Sequence, residues 1–178
     1  MPVKQITDLF DRHGDNRYGE HVNQREHMLQ CAKLAEDAGE APAMIAAALL
    51  HDVGQFLEGA GDAAEAHGLD AAHERLGEVF LSQWFSEDVT APIFLHVAAK
   101  RYLCAVEPGY LEDLSGASAL SLGLQGGPFD AAECQAFEAH PFFKEAIRLR
   151  RYDDAGKQPG MVTPDIHHYV EILHAAAR

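Results

Sequence analysis

A chain of 178 residues with 28 acidic and 14 basic side chains carries a formal net charge of -14, which opposes non-specific attraction to nucleic acid or an anionic membrane. An anionic substrate must therefore be caught by a local cluster of cations. With 47% hydrophobic residues, the length suits one domain with a sizeable core, and a single domain over the whole chain is expected.

The N-terminal stretch MPVKQITDLFDRHG lacks an apolar segment followed by a cleavage site, and the run APAMIAAALL is too short to span a bilayer. A soluble, cytoplasmic protein is the expectation. Cys31, Cys104 and Cys134 lie far apart without CxxC spacing, so they are expected to be reduced, buried space-fillers.

Apolar residues recur at intervals of three and four almost throughout, and no run keeps a strand-like alternation, so the predicted class is all-α. A short helix over Val3 to Arg12 comes first, followed by the loop HGDNRYGE. A second helix runs from about Asn23 to Ala38, with Met28, Cys31, Leu34 and Ala35 on one face. Pro42 opens a third helix, apolar on every side and so expected at the centre of a bundle. The segment LEGAGDAAEAHG has no clear period and reads as a loop. Asp70 is a candidate cap for a fourth helix, reaching Phe85 and burying Leu76, Val79 and Phe80. Pro92 suits the start of a fifth, to about Val106. The stretch from Glu107 to Asp130 reads as mostly loop, with a sharp turn at QGGP. A sixth helix from about Ala131 breaks near His140 and Pro141 and continues through Arg151. In the tail, Thr163 is the expected N-cap and Pro164 the first helical residue.

Eleven histidines are the compositional outlier. A single helical histidine is more often an ordinary core or surface residue than a ligand. Here, however, His27 falls on the second helix, His51 and Asp52 end the third, His73 lies on the fourth, His96 on the fifth, and Asp154 follows the sixth. A metal site in a bundle core draws its ligands from separate helices in this way. His73 has Leu76, Gly77 and Phe80 at i+3, i+4 and i+7, and His96 shares a stripe with Ile93 and Ala99, so both imidazoles should point inward. Neutral imidazole and carboxylate suit iron, zinc or manganese. A buried Asp52 needs such a cation, because an unanswered buried carboxylate costs several kcal/mol, roughly.

The order H…HD…D resembles the HD-domain metalloenzyme superfamily. The additional histidines of AAHERLG and FLHVAAKRYL are similar to second-metal ligands of its diiron branch, which includes myo-inositol oxygenase and the PhnZ-type phosphonate oxygenases. The phosphonate oxygenases are the nearer match, through YGE…NQxEHxLQCA, AALLHDxG, AHExxG, HVxAKRYL, LSxAS…LGxQGGP and RRxDDxxK. That resemblance implies an HD-domain helical bundle holding a mixed-valence Fe(II)/Fe(III) pair. Asp52 would bridge the two irons, with His27, His51 and Asp154 on one and His73 and His96 on the other. Asp153 is the rival to Asp154; Arg151 and Asp154 are i, i+3 and would face the same way, which favours the second aspartate.

The same resemblance assigns phosphonate binding to Lys100, four residues after His96, and to Arg151, with Ser118 and Ser121 as hydroxyl donors. Glu20 matches a carboxylate that senses a substrate ammonium, and Tyr18 a tyrosine gating the vacant iron. Two departures stand out: RYGE has no residue between Tyr18 and the Gly-Glu pair, and Gln55 stands where HDxGH would place a histidine. A quaternary ammonium would favour the aromatic faces of Tyr18 or Tyr102.

The activity implied is O2-dependent cleavage of the carbon-phosphorus bond of a 1-hydroxy-2-(trimethylammonio or amino)ethylphosphonate. Glycine betaine or glycine would form with phosphate, without nicotinamide, flavin or an obligatory protein partner. Two other readings stand beside it. A metal-dependent phosphohydrolase acting on a small phosphate ester would need no redox change. A non-catalytic HD-like module would tolerate loss of metal ligands, and the complete ligand set argues against that.

Overall fold

The structure is a computed structural model that describes residues 2–17, 20–58 and 72–178. Tyr18, Asp70 and residues 59–68 of the expected loop lie outside the described part. Among the described residues the secondary structure is helical, apart from isolated bridges pairing Arg17 with Asn23 and Phe85 with Ala177. The helices are α1 (Pro2–His13), α2 (Gln24–Asp37), α3 (Pro42–Leu50), α4 (Val53–Glu58), α5 (His73–Leu81), α6 (Glu87–Val106), α7 (Gly116–Leu124), α8 (Ala131–Glu138), α9 (Phe143–Ala155) and α10 (Val170–Ala176); a 3-10 turn, Ile166–Tyr169, leads into the last.

α3 is the hub, as its all-round apolar sequence predicts. Every residue from Met44 to Leu50 is buried, and the helix packs against α2, α6, α9 and α10. α2 starts at a reciprocal cap in which the Asn23 side chain accepts from Glu26 N and the Glu26 carboxylate accepts from Asn23 N. Its buried side carries His27, Met28, Cys31 and Ala35. α6, 20 residues long and mostly apolar, has the length and composition to cross a membrane, yet 61% of its most apolar window is buried within the protein. It packs against α3, α5, α8 and α9, as the core helix of a bundle does.

Several boundaries differ from expectation. α6 begins at Glu87, with Val89 N and Thr90 N donating to Ser86 O, so Pro92 lies inside the helix. So near the N-terminal end, a proline removes one backbone bond while the strong packing of the helix is kept. The stretch from Glu107 to Asp130 contains α7, whose N-cap Ser115 accepts from Ser118 N at 3.2 Å. Two glycines and two serines hid that helix by weakening its apolar period. Gly126 and Gly127 both have positive φ, 96° and 74°, which makes the sharp turn expected of QGGP. The predicted break at His140 and Pro141 is present between α8 and α9. In the tail, Asp165 is the cap, accepting from His167 N and His168 N; it replaces the expected Thr163 and Pro164 start.

The buried face of α5 is also a correction. His73, Gly77 and Leu81 are buried, whereas Val79 is 62% exposed. The reason is a backbone-to-backbone approach: a Cβ on Gly54 of α4 would lie 1.9 Å from His73 O, and one on Gly77 would lie 3.5 Å from Gly54 N. Gly54 lets α4 and α5 meet backbone to backbone, where any side chain at that position would clash, and this brings His73 up to Asp52.

Candidate metal centre

Five helical segments deliver side chains to one buried point. His27 comes from α2, His51 and Asp52 from the turn between α3 and α4, His73 from the first position of α5, His96 from the middle of α6, and Asp153 from the last turn of α9. His27 Nε2 and His51 Nε2 are 3.1 Å apart. Asp153 Oδ1 lies 3.5 Å from the first and 4.0 Å from the second. Asp52 Oδ2 is 3.6 and 3.5 Å from the same two nitrogens. Its other oxygen, Oδ1, turns to the second pair, 3.2 Å from His73 Nε2 and 3.8 Å from His96 Nε2, which are 3.2 Å from each other.

The tautomers make this a cation site. Nδ1 of His27 faces Gly156 O at 2.8 Å, Nδ1 of His51 faces Ala48 O at 3.0 Å, and Nδ1 of His96 faces Ile93 O at 2.6 Å. A carbonyl only accepts, so each Nδ1 carries the proton and each Nε2 presents a lone pair to the centre. Lone pairs of His27 and His51 then confront each other with no hydrogen between them. Among the described residues, Asp52 Oδ2 and Asp153 Oδ1 are buried without a hydrogen-bond partner; Lys157, at 3.5 Å, offsets the charge of the second, and a cation between the ligands would relieve the remaining cost. Ligands standing roughly 2.0–2.2 Å from a common ion have spacings of this kind. The residues present fit two metal ions sharing Asp52.

Electrostatics agree. Burial, with His51 beside it, pushes His27 down to about 4, and burial with the charge on His73 pushes His96 down to about 3, so both are neutral ligands at pH 7. His73 is the exception: burial opposes its charge, but the hydrogen bond and charge of Asp52 raise it to about 9. A proton on His73 is what answers Asp52 in the protein alone, and a metal would displace it. Burial works against ionisation of Asp52, but His51, His73 and His27 outweigh it and hold the carboxyl well below the usual range.

Asp154, expected among the ligands, is elsewhere. Its carboxylate pairs with Arg150 and accepts from the Tyr110 hydroxyl. Adjacent helical positions are about 100° apart, so only one of the two aspartates can face the histidines, and that one is Asp153. The same one-residue shift applies to the arginines. Arg151 is 43% exposed, pairs with Glu107 and lies over the Tyr110 ring. Arg150 is the buried one and points into the site. Cys31 Sγ is within 3.9 Å of His27, but its thiol donates to Tyr152 O and burial raises its pKa well above the usual range. That leaves Asp153 as the candidate third donor beside His27 and His51.

Beside the His73 and His96 pair opens a pocket lined by Glu20, Gln55, Lys100, Ser118, Ser121, Gln125 and Arg150 together with Asp52 and Asp153. Lys100 is buried and donates to Ser121 Oγ at 2.7 Å. Ser118 Oγ accepts from Lys157 at 2.9 Å and from Arg150 at 3.3 Å. With two cations donating to its oxygen, that hydroxyl has its own proton to give to another acceptor. Gln55 accepts from Gln24 Nε2 at 2.8 Å, so its carbonyl is used and its amide N–H groups are left to donate. Tyr102 takes no part in the lining; its hydroxyl donates to Glu138 on the surface. Arg150, Lys157 and Gln24 escaped the sequence reading, and Asp153 stood there only as the rival to Asp154, although the buried series Ala146, Leu149 and Asp153 at i, i+3 and i+7 marked the inner face of α9.

An HD domain model matches residues 25–103, a span holding every histidine of the cluster together with Asp52. The chain is 45% identical over 172 residues to the glycine-betaine-forming 1-hydroxy-2-(trimethylamino)ethylphosphonate dioxygenase of Leisingera caerulea, covering 96% of this chain and 88% of the relative. It is 45% identical over 173 residues to the hydroxymethylphosphonate dioxygenase of Gimesia maris, covering 94% and 86%. The chain belongs to the PhnZ-type HD-domain phosphonate oxygenases. An uncharacterized protein of Acanthamoeba polyphaga mimivirus is 37% identical over 158 residues, 87% of this chain and 72% of that one. The HD match ends before Asp153 and Arg150, so the candidate last ligand and a pocket cation lie outside the matched span.

Proposed function

We propose that this oxidoreductase cleaves the carbon-phosphorus bond of a 1-hydroxy-2-(trimethylammonio or amino)ethylphosphonate with O2, at a mixed-valence pair of irons held by His27, His51 and Asp153 on one side and His73 and His96 on the other. The observation that carries the reading is Asp52, whose two oxygens face separate imidazole pairs beside a pocket lined by cations. The products are glycine betaine or glycine, with phosphate. One O2 per substrate balances the reaction: R-CH(OH)-PO3 as dianion gives carboxylate, hydrogen phosphate and one proton. The four electrons come from the substrate, so no nicotinamide or flavin is needed.

A redox-active metal pair supplies dioxygen activation and lowers the pKa of the substrate hydroxyl. The chain's own residues do the rest. Lys100 and Arg150 place two buried positive charges against the phosphonate oxygens, charge-assisted contacts that fix C1 beside the metal centre. Ser118 gives its hydroxyl proton to the same group, Ser121 reinforces Lys100, and Gln55 donates from its amide. Glu20, a further carboxylate of the pocket lining, faces the head group.

The test is simultaneous measurement of O2 uptake and phosphate release from the hydroxyphosphonate by the iron-loaded protein. One phosphate per O2 is expected. Phosphate release in the absence of O2, sustained by manganese or magnesium, would instead mark hydrolysis.

A further inference from the structure

Resting on that reading, we infer that Lys157 sets the charge preference for the substrate head group by partly neutralising Glu20. Among the described residues lining the pocket the carboxylates are Glu20, Asp52 and Asp153, and the last two face the histidines. Glu20 is therefore the carboxylate left for a head group. It is not a freely swinging one, because its Oε1 accepts from the hydroxyl of Ser115, the N-cap of α7. Lys157 Nζ stands 3.9 Å from that same oxygen, 3.5 Å from Asp153 Oδ1 and within a 2.9 Å hydrogen bond of Ser118 Oγ. Both side chains of the Glu20 and Lys157 pair are about nine-tenths buried, 11% and 10% exposed, where solvent screens charge poorly.

Lys157 stands behind the lining, yet a cationic head group drawn to Glu20 also feels its charge, 3.9 Å from that carboxylate. Attraction and repulsion then offset each other, while a head group without charge is indifferent to both. Lys157 thus acts through Glu20 as a positioning and specificity residue. Taking away its charge leaves Glu20 unanswered and favours ammonium-bearing substrates.

The experiment compares kcat/KM for 1-hydroxy-2-(trimethylammonio)ethylphosphonate with that for hydroxymethylphosphonate in the wild type and in Lys157→Met, Lys157→Gln, Lys157→Arg, Glu20→Gln and the Glu20→Gln, Lys157→Met double variant. A ratio within one protein cancels any loss of metal or of folded enzyme. The ratio is expected to rise about tenfold in Lys157→Met and Lys157→Gln, to stay near wild type in Lys157→Arg, and not to rise when Lys157→Met is added to Glu20→Gln. Calorimetric affinities of the metal-loaded proteins for 2-aminoethylphosphonate and ethylphosphonate should shift in the same sense. An unchanged ratio in both neutral variants, or an equal rise without Glu20, overturns the inference. If the wild type turns over neither substrate, the functional reading fails, and the binding ratio still decides the role of Lys157.

Discussion

The two halves of the metal cluster are built differently. His27 and His51 are fully buried, lie away from the pocket, and have both Nδ1 protons tied to backbone carbonyls of the core. His73 and His96 line the pocket, and His73, the first residue of a short helix, has its Nδ1 3.8 Å from the Glu74 carboxylate. The first half is thus held by the packing of α2, α3 and α9; in the second, His96 is held within α6 by Ile93 O and His73 by the glycine contact between α4 and α5. Rigid ligands suit retention of an ion, and the ligands at the pocket are those a substrate can reach.

The largest effect should come from the residue common to both halves. Asp52→Ala should lose both metals, measured by elemental analysis, with activity falling to background; retained activity would contradict the shared carboxylate. His27→Ala and His73→Ala should each remove one ion but differ otherwise. The first leaves a cavity in the core and should lower thermal stability by about 2–4 kcal/mol, whereas the second should leave the melting temperature nearly unchanged. Gly54→Ala probes the second half without touching a ligand. The added methyl must displace α5, so metal content should drop to that of His73→Ala.

Smaller effects concern the pocket and the frame of α9. Asp153→Asn should lose one metal, while Asp154→Asn should keep both and raise KM about tenfold, by loosening the Arg150 guanidinium that it and Tyr110 hold. Arg150→Ala should raise KM on the order of 100-fold, since it removes a buried charge contact, and Arg151→Ala should stay within about twofold. Lys100→Ala should retain its metals and bind substrate poorly. Steady-state kinetics alongside metal analysis separates these outcomes.

What the sequence by itself determined was the helical class, the burial of α3, and the histidines with Asp52. These are legible because a 3.6-residue period and an apolar helix without a polar face are properties of the chain alone. Position within α9 is not. The i, i+3 relation between an arginine and an aspartate holds for Arg150 with Asp153 and for Arg151 with Asp154 alike, so local spacing leaves two solutions. Only the docking of α9 against α2, α3 and α6 chose between them, by turning Ala146, Leu149 and Asp153 inward. The pairing of Glu20 with Lys157, 137 residues apart in the chain, is likewise a product of tertiary structure, because nothing near either residue specifies the other.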